Sequence, residues 1–278
     1  MQLGIRLHDI EKGDLEHRLQ VAQKQGFKCG HLALKKVIDD YSVADDALTP
    51  GYAIYLKKLF AKYDIDIAVL GNYLNLLHPD EAKLKEITHR YMAHIRFAAL
   101  LGCGVVGTET GAPNAEYKHV PECRDQATLD QFVKNLRPVV DYAEKSGVIM
   151  AIEPVAKHTV WCPKAARYVL DQIDSPNLQI IFDPVNLLDI NNYQDREAIF
   201  DEAMELLGPD IAMVHLKDFV VEGDDLKSVA CGLGEMKYDK ILKFMKEKKP
   251  YIHATLENTL PENAVATKEL IQGIWDNQ

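Results

Sequence analysis

No stretch of this sequence approaches the roughly 18–20 uninterrupted apolar residues that a membrane-spanning helix needs. The first residues, Met1-Gln2-Leu3-Gly4-Ile5-Arg6, lack a basic segment followed by an apolar run, so no signal peptide is expected. Cysteine is scarce: Cys29, Cys103, Cys123, Cys162 and Cys231 are odd in number and widely scattered. No two stand at CxxC spacing, which excludes the usual redox and structural zinc motifs. They read as reduced thiols filling small apolar spaces in a cytoplasmic protein. Positive charge is short too. Thirty-two Lys and Arg face 42 Asp and Glu, a net charge of −10 with a pI near 5.5. A sequence-independent hold on phosphates needs a basic face, so neither a nucleic acid nor a membrane is an expected partner. Linker-like and low-complexity segments are also missing.

What is present is ordinary for a globular chain: 47% of the 278 residues are hydrophobic and 27% charged, which excludes disorder. Short, near-continuous apolar runs occur at 3–7, 30–34, 65–70, 104–107, 148–152, 178–182, 211–216 and 251–256. Strands buried on both faces have this pattern. Between them lie amphipathic helical patterns at 14–25, 51–63, 79–101, 128–146, 163–172, 195–207, 238–246 and 261–275. Asp14 stands where a helix N-cap is wanted, and Pro163 where a first-turn proline is tolerated. Gly26, Gly102, Gly147 and Gly208 follow four of the helices, where a left-handed residue commonly ends the last turn.

Eight strands alternating with eight helices predict a parallel sheet, and eight repeats in this length predict a closed barrel. The alternative, an open doubly wound sheet, wants a glycine-rich turn after its first strand. His8-Asp9-Ile10-Glu11-Lys12-Gly13 is not one. The expected fold is α/β, a single (β/α)8 barrel over residues 1–278.

Chemistry in such a barrel gathers at the carboxyl ends of the strands. Those ends carry Thr108-Glu109-Thr110-Gly111, Ile152-Glu153-Pro154, Phe182-Asp183-Pro184-Val185-Asn186, Val214-His215-Leu216-Lys217-Asp218 and Leu256-Glu257-Asn258. Glu153, Asp183, His215 and Glu257 come from consecutive strands and should ring one point. Any one of them alone reads as readily as a loop cap or salt-bridge partner; four at equivalent positions read as a site. Three carboxylates and one imidazole suit one divalent cation, Mn²⁺, Mg²⁺ or Co²⁺ by the oxygens, with Zn²⁺ or Fe²⁺ admitted by the histidine. Without a cation, carboxylates this close repel and some stay protonated.

These motifs, in this order with Gly232-Leu233-Gly234-Glu235 between the last two, resemble the xylose-isomerase-like barrels. That group includes sugar and sugar-phosphate isomerases, ketose 3-epimerases, inosose dehydratase and endonuclease IV. The resemblance implies that Glu153, Asp183, His215 and Glu257 hold a single metal, with Glu153 and Glu257 also acting as catalytic acid and base. It implies a small sugar or sugar derivative as partner, and such barrels often form homo-oligomers. Moving a proton beside a carbonyl makes an enediolate whose charge a cation stabilises, and a carboxylate on each face can take and return the proton. The sequence also departs from the group. Ketose 3-epimerases and endonuclease IV commonly have histidine three residues after the strand-six aspartate, where this chain has Asn186. Endonuclease IV has another histidine at the end of strand four, where Glu109 stands. A three-metal phosphodiesterase is therefore not expected.

Further candidates for substrate contact are Glu109, His158, Trp161, Asn186, Lys217, Asn75 and His8, with Asn72 and His78 beside them. Lys217 shares the side of the strand that bears His215, and Trp161 stands in a loop where a ring can stack on a sugar. Gly232 and Gly234 read as the tight loop before the helix at 238–246, and His17, His89 and His94 as surface or packing residues. The expected function is a metal-dependent sugar, sugar-phosphate or keto-sugar isomerase or epimerase. The alternative is a metal-dependent lyase or dehydratase acting on a keto-sugar or keto-inositol, which begins with the same proton abstraction. A non-catalytic sugar-binding barrel has no need of three buried carboxylates.

Overall fold

Runs of five or so apolar residues become strands here because both of their faces are covered, one by helices and one by the barrel interior. The computed structural model describes residues 1–278. Its barrel strands are β1 (Gln2–Arg6), β2 (Cys29–Leu32), β3 (Asp66–Gly71), β4 (Val105–Glu109), β5 (Ile149–Glu153), β6 (Leu178–Phe182), β7 (Ile211–Leu216) and β10 (His253–Leu256). They close in the order β1-β10-β7-β6-β5-β4-β3-β2, every pairing parallel. Around them run α1 (Leu15–Lys24), α2 (Leu34–Val37), α3 (Pro50–Lys62), α4 (Glu81–Leu101), α5 (Gln126–Ser146), α6 (Pro163–Ile173), α7 (Arg196–Leu207), α8 (Asp239–Lys248) and α9 (Ala264–Asp276). This is the expected (β/α)8 barrel. No helix is long and apolar enough to cross a membrane, and all five cysteines are free, four of them buried.

Local chemistry sets the helix ends. The Asp14 side chain accepts from the His17 N–H at 2.7 Å, and Asp80 accepts from Ala82 and Lys83 at the start of α4. Gly102 and Gly147 close α4 and α5 in the left-handed region, as their positions predict. Gly208 does not: its φ is −47°, and it continues α7 into a tight turn through Gly208–Asp210.

Side-chain parity builds the site. Successive strand residues face opposite sides, so Gly107, Ala151, Ile181, Met213 and Thr255 lie inward, two residues before Glu109, Glu153, Asp183, His215 and Glu257. The largest buried cluster, 71 residues, lies between strands and helices. A smaller one of Cys29, Ala68, Val69, Ala151, Ile181 and Met213 plugs the barrel interior. Glycine makes room for that plug: a Cβ at Gly107 would stand 2.6 Å from Ile181 Cδ1 and 2.7 Å from Val69 Cγ2. The polar layer therefore rests on a packed apolar floor, and only its upper side is open.

A hairpin of β8 (Asp218–Glu222) and β9 (Asp225–Val229) was not expected from the apolar runs. It follows β7 directly and turns at Gly223, whose φ is +63°. Asp218 anchors it. Its wholly buried carboxylate accepts from the backbone N–H groups of Phe219 and Met236 at 2.8 Å, from Gly232 at 3.0 Å and from Tyr238 Oη at 3.1 Å. Gly234 fits beneath because a Cβ there would overlap the Phe219 carbonyl. Thus the aspartate of His215-Leu216-Lys217-Asp218 ties down the Gly232-Leu233-Gly234-Glu235 loop. Asp218→Ala should destabilise the protein by about 3 kcal/mol or more, since each buried donor left unpaired costs about 1–3 kcal/mol. Urea unfolding checks this, and a loss below about 1 kcal/mol would contradict it.

Candidate active site

The ends of β5, β6, β7 and β10 bring Glu153, Asp183, His215 and Glu257 together, all of them buried. Glu153 Oε2 and Glu257 Oε1 each lie 3.3 Å from His215 Nδ1, reaching it from two sides. Asp183 Oδ1 accepts from the N–H groups of Val185 and Asn186 at 3.0 and 3.1 Å, which leaves Oδ2 facing inward. Lys217, two residues beyond His215, places its ammonium 2.7 Å from that Oδ2 and 3.5 Å from Glu257 Oε2.

Asn186 belongs to the same network. Its Oδ1 accepts from Lys217 Nζ at 2.7 Å, and its Nδ2 donates to Glu153 Oε1 at 2.6 Å. The asparagine thus links the lysine to the glutamate and fixes how Glu153 is turned.

Burial and mutual charge set the protonation states. Burial opposes a charge on His215, but Glu257 and Glu153 outweigh it and raise the imidazole to about 9. Burial would likewise raise Glu257, yet His215, Lys217 and Arg6 hold it well below the usual carboxylate range. Asp183 is raised, first by burial, with Lys217 opposing and Glu153 and Glu257 adding to the rise. Glu109 is raised by burial and by Glu153, its in-register neighbour across β4 and β5.

The donor set fits a divalent cation. His215 has both ring nitrogens buried without a hydrogen-bond partner, and Asp183 Oδ2 meets only an ammonium. Unpaired buried polar atoms need explanation, and a ligand is one. Each of two triads, Glu153–Asp183–His215 and His31–His215–Glu257, brings ligand atoms within 4.8 Å of one another.

The remaining sequence candidates divide. A cavity of about 330 Å³ opens above the cluster, lined in part by Glu109, Asn186, Lys217 and His8. His158 stands behind Glu109, Nδ1 to Oε2 3.7 Å, against the Tyr117 ring. Asn75 does not reach the cavity. Its Nδ2 donates to the carbonyls of Ala112 and Asn114 and its Oδ1 accepts from Leu77 and Ala112, so the whole amide is spent on holding two loops. Trp161 also lies elsewhere, beneath the Arg124 guanidinium at 4.9 Å beside a separate surface hollow. His78 accepts from the Asp80 N–H and lines an outer groove between α4 and α5, and the Asn72 backbone donates to Gly107.

Sequence reasoning missed Arg6, His31, Lys36 and Tyr73, all of which line the cavity. Arg6 Nη1 donates to Glu257 Oε2 at 3.2 Å. His31 stacks on His215 with ring centroids 5.2 Å apart, and its Nε2 lies 3.0 Å from Tyr73 Oη. A Cβ at Gly71 would strike His31 Nε2 at 2.5 Å, so that glycine makes space for the stack. The available signal was strand-end position in β1 to β3. Arg6 ends β1, and β2 runs over Cys29–Leu32 rather than 30–34, which moves His31 from the start of a run to its end.

Comparison with known proteins agrees with this architecture. The uncharacterized protein MJ1311 of Methanocaldococcus jannaschii is 25% identical over 231 residues, 81% of this chain and 75% of its own. A D-tagatose 3-epimerase-like protein superposes with a TM-score of 0.78 at 21% identity, covering 100% of this chain and 98% of its own. The IolI protein, described with a binding zinc atom, superposes at 0.73 with 20% identity, covering 100% and 99%. The family described as xylose isomerase-like TIM barrel matches residues 19–272, and the chain belongs to that family.

Proposed function

We propose that this protein is a divalent-metal-dependent isomerase or epimerase of a small sugar or sugar derivative. One observation carries the reading: two buried glutamates, from β10 and β5 on either side of β7 in the ring, flank a single imidazole, each at 3.3 Å, beneath the one cavity they share. The epimerase-like fold neighbour and the zinc of IolI support it.

Glu153, Asp183, His215 and Glu257 would hold the cation, which when bound supplies the positive charge that stabilises an enediolate. Glu257, kept ionised by its cationic neighbours, accepts the proton beside the carbonyl on one face of the sugar. Glu153, turned by Asn186, exchanges a proton on the other face. Lys217 and Asn186 line the cavity and would hold sugar oxygens, and Glu109, raised to about 7 by burial and by Glu153, can in its protonated form donate a hydrogen bond to a hydroxyl. His8 contacts the substrate from the β1 side. Two residues on two faces suit inversion or transfer of hydrogen between neighbouring carbons.

The test is metal analysis of the purified protein, then deuterium wash-in from D₂O on a panel of ketoses and keto-inositols with metal restored. About one cation per chain and metal-dependent exchange at a carbon next to the carbonyl are expected. Loss of water in place of exchange would turn the reading to a lyase. Neither exchange nor elimination on any substrate would overturn it.

A further inference from the structure

The site's carboxylates are already matched within it. Asp183 has Lys217 and two backbone N–H groups, and Glu257 has His215, Lys217 and Arg6. On the β1–β2 side of the cavity, donors are left without partners. Arg6 spends Nε on Asp9 at 2.8 Å and Nη1 on Glu257, leaving Nη2 without a partner on a side chain 20% exposed to the opening. His8, in the turn that follows β1, lines the same cavity and keeps a buried Nδ1 that bonds nothing. Lys36 of α2 lines the same wall, and its ammonium pairs with no carboxylate. Arg6 is shared between two acids, Asp9 and Glu257, so Lys36 is the cation of this wall left without an acid partner, beside the open Arg6 Nη2.

We infer that the substrate carries an anionic group, a carboxylate or a phosphate, and that Arg6, His8 and Lys36 receive it at the β1–β2 wall. The inference rests on the sugar-converting reading above and narrows its substrate class. A guanidinium nitrogen and an ammonium facing a part-closed cleft focus an attraction that a neutral sugar leaves unused. The barrel order puts β1 opposite β5 and β2 opposite β6. An anion at this wall therefore directs the rest of the molecule across the cavity toward Glu153, Asn186 and Glu109. His8 supports the assignment, since burial and then Arg6 lower it to about 4. It stays neutral near pH 7 and can present an N–H to an anion. A cavity of about 330 Å³ is at the small end of ligand sites, about 300–1,000 Å³, and suits a monosaccharide with one such group.

Titration calorimetry of the full-length, metal-loaded protein tests this with inorganic phosphate, fructose, fructose 6-phosphate and fructuronate, at low and high salt. One of the two anionic sugars should bind about tenfold or more tighter than fructose, as a charge-assisted contact of this kind is worth roughly that factor. The phosphate and the uronate arms tell the two anions apart. Lys36→Gln should shrink the anionic-over-neutral preference by about tenfold and weaken inorganic phosphate alike, and salt should narrow the preference in the wild type. Equal binding of the three sugars, a preference untouched by Lys36→Gln, or no binding of any probe would overturn the inference. Deuterium exchange on the same sugars separates the two ideas. Exchange with no anionic preference leaves the catalytic reading standing without the subsite. Lys36-dependent phosphate binding with no exchange leaves the subsite standing without that reading.

Discussion

Glu257→Gln is expected to lower turnover by about 10²–10⁴-fold with part of the metal still bound, because general acid–base groups contribute about that much. The amide keeps an oxygen donor and nearly the same volume but cannot take a proton. Glu153→Gln should act on the same scale, since Glu153 approaches His215 at the same 3.3 Å from the other side. Asp183→Asn should differ in kind. Its Oδ1 serves the backbone of Val185 and Asn186, and its Oδ2 faces the cluster, so the loss should fall on metal affinity and be partly rescued by excess metal. The measurement is kcat against metal concentration for the three variants, with circular dichroism to confirm folding. Full rescue of both Glu variants by metal would show that the carboxylates only hold the ion. The proton would then pass through another group, with Lys217 and His158 first to examine.

A second large effect is expected in the pH dependence of metal affinity. A histidine binds metal as the neutral ring, whereas Glu257 and Glu153 keep His215 protonated up to about pH 9 in the metal-free protein. Each cation bound below that pH must release this proton. Apparent affinity should therefore climb about tenfold per pH unit between pH 6.5 and 9 and then flatten, a total of roughly two to three orders of magnitude. Competition with a chelator of known affinity at several pH values measures the slope. A slope near zero across that window would show that His215 is neutral before the metal arrives. The same shift has the opposite consequence for the metal-free fold. His215 is more basic folded than unfolded, so its charged form stabilises the fold below about pH 6.5, and this stability is lost as pH rises through 9.

Much of this site was legible because strand-end position is a local property. Glu153 and Glu257 each follow an apolar run by one residue, and parity fixes which way they face. Asn75 and Trp161 misled because they share the loops of that face without sharing its centre. One turns its whole amide to backbone groups and the other lies under Arg124. Composition cannot say whether a loop side chain is spent on its own loop. The hairpin of β8 and β9 had its signals, alternating residues about a Gly-Asp turn, but they stand outside the rhythm of strand and helix that organised the rest of the chain.

The sequence by itself determined the eightfold alternation, most helix termini and the polar strand ends, because each depends on spacing within a dozen neighbouring residues. Only the closed tertiary structure decided which of those ends meet. Arg6 and Glu257 are 251 positions apart and bond because β1 pairs with β10 when the ring closes. His31 lies against His215 across the barrel mouth, and Lys217 turns in among the carboxylates rather than out to water. These contacts follow from strand order, register and tilt. In a parallel barrel those are set by closure of all eight strands together, and a slip of one residue in any of them would turn its polar end away from the centre.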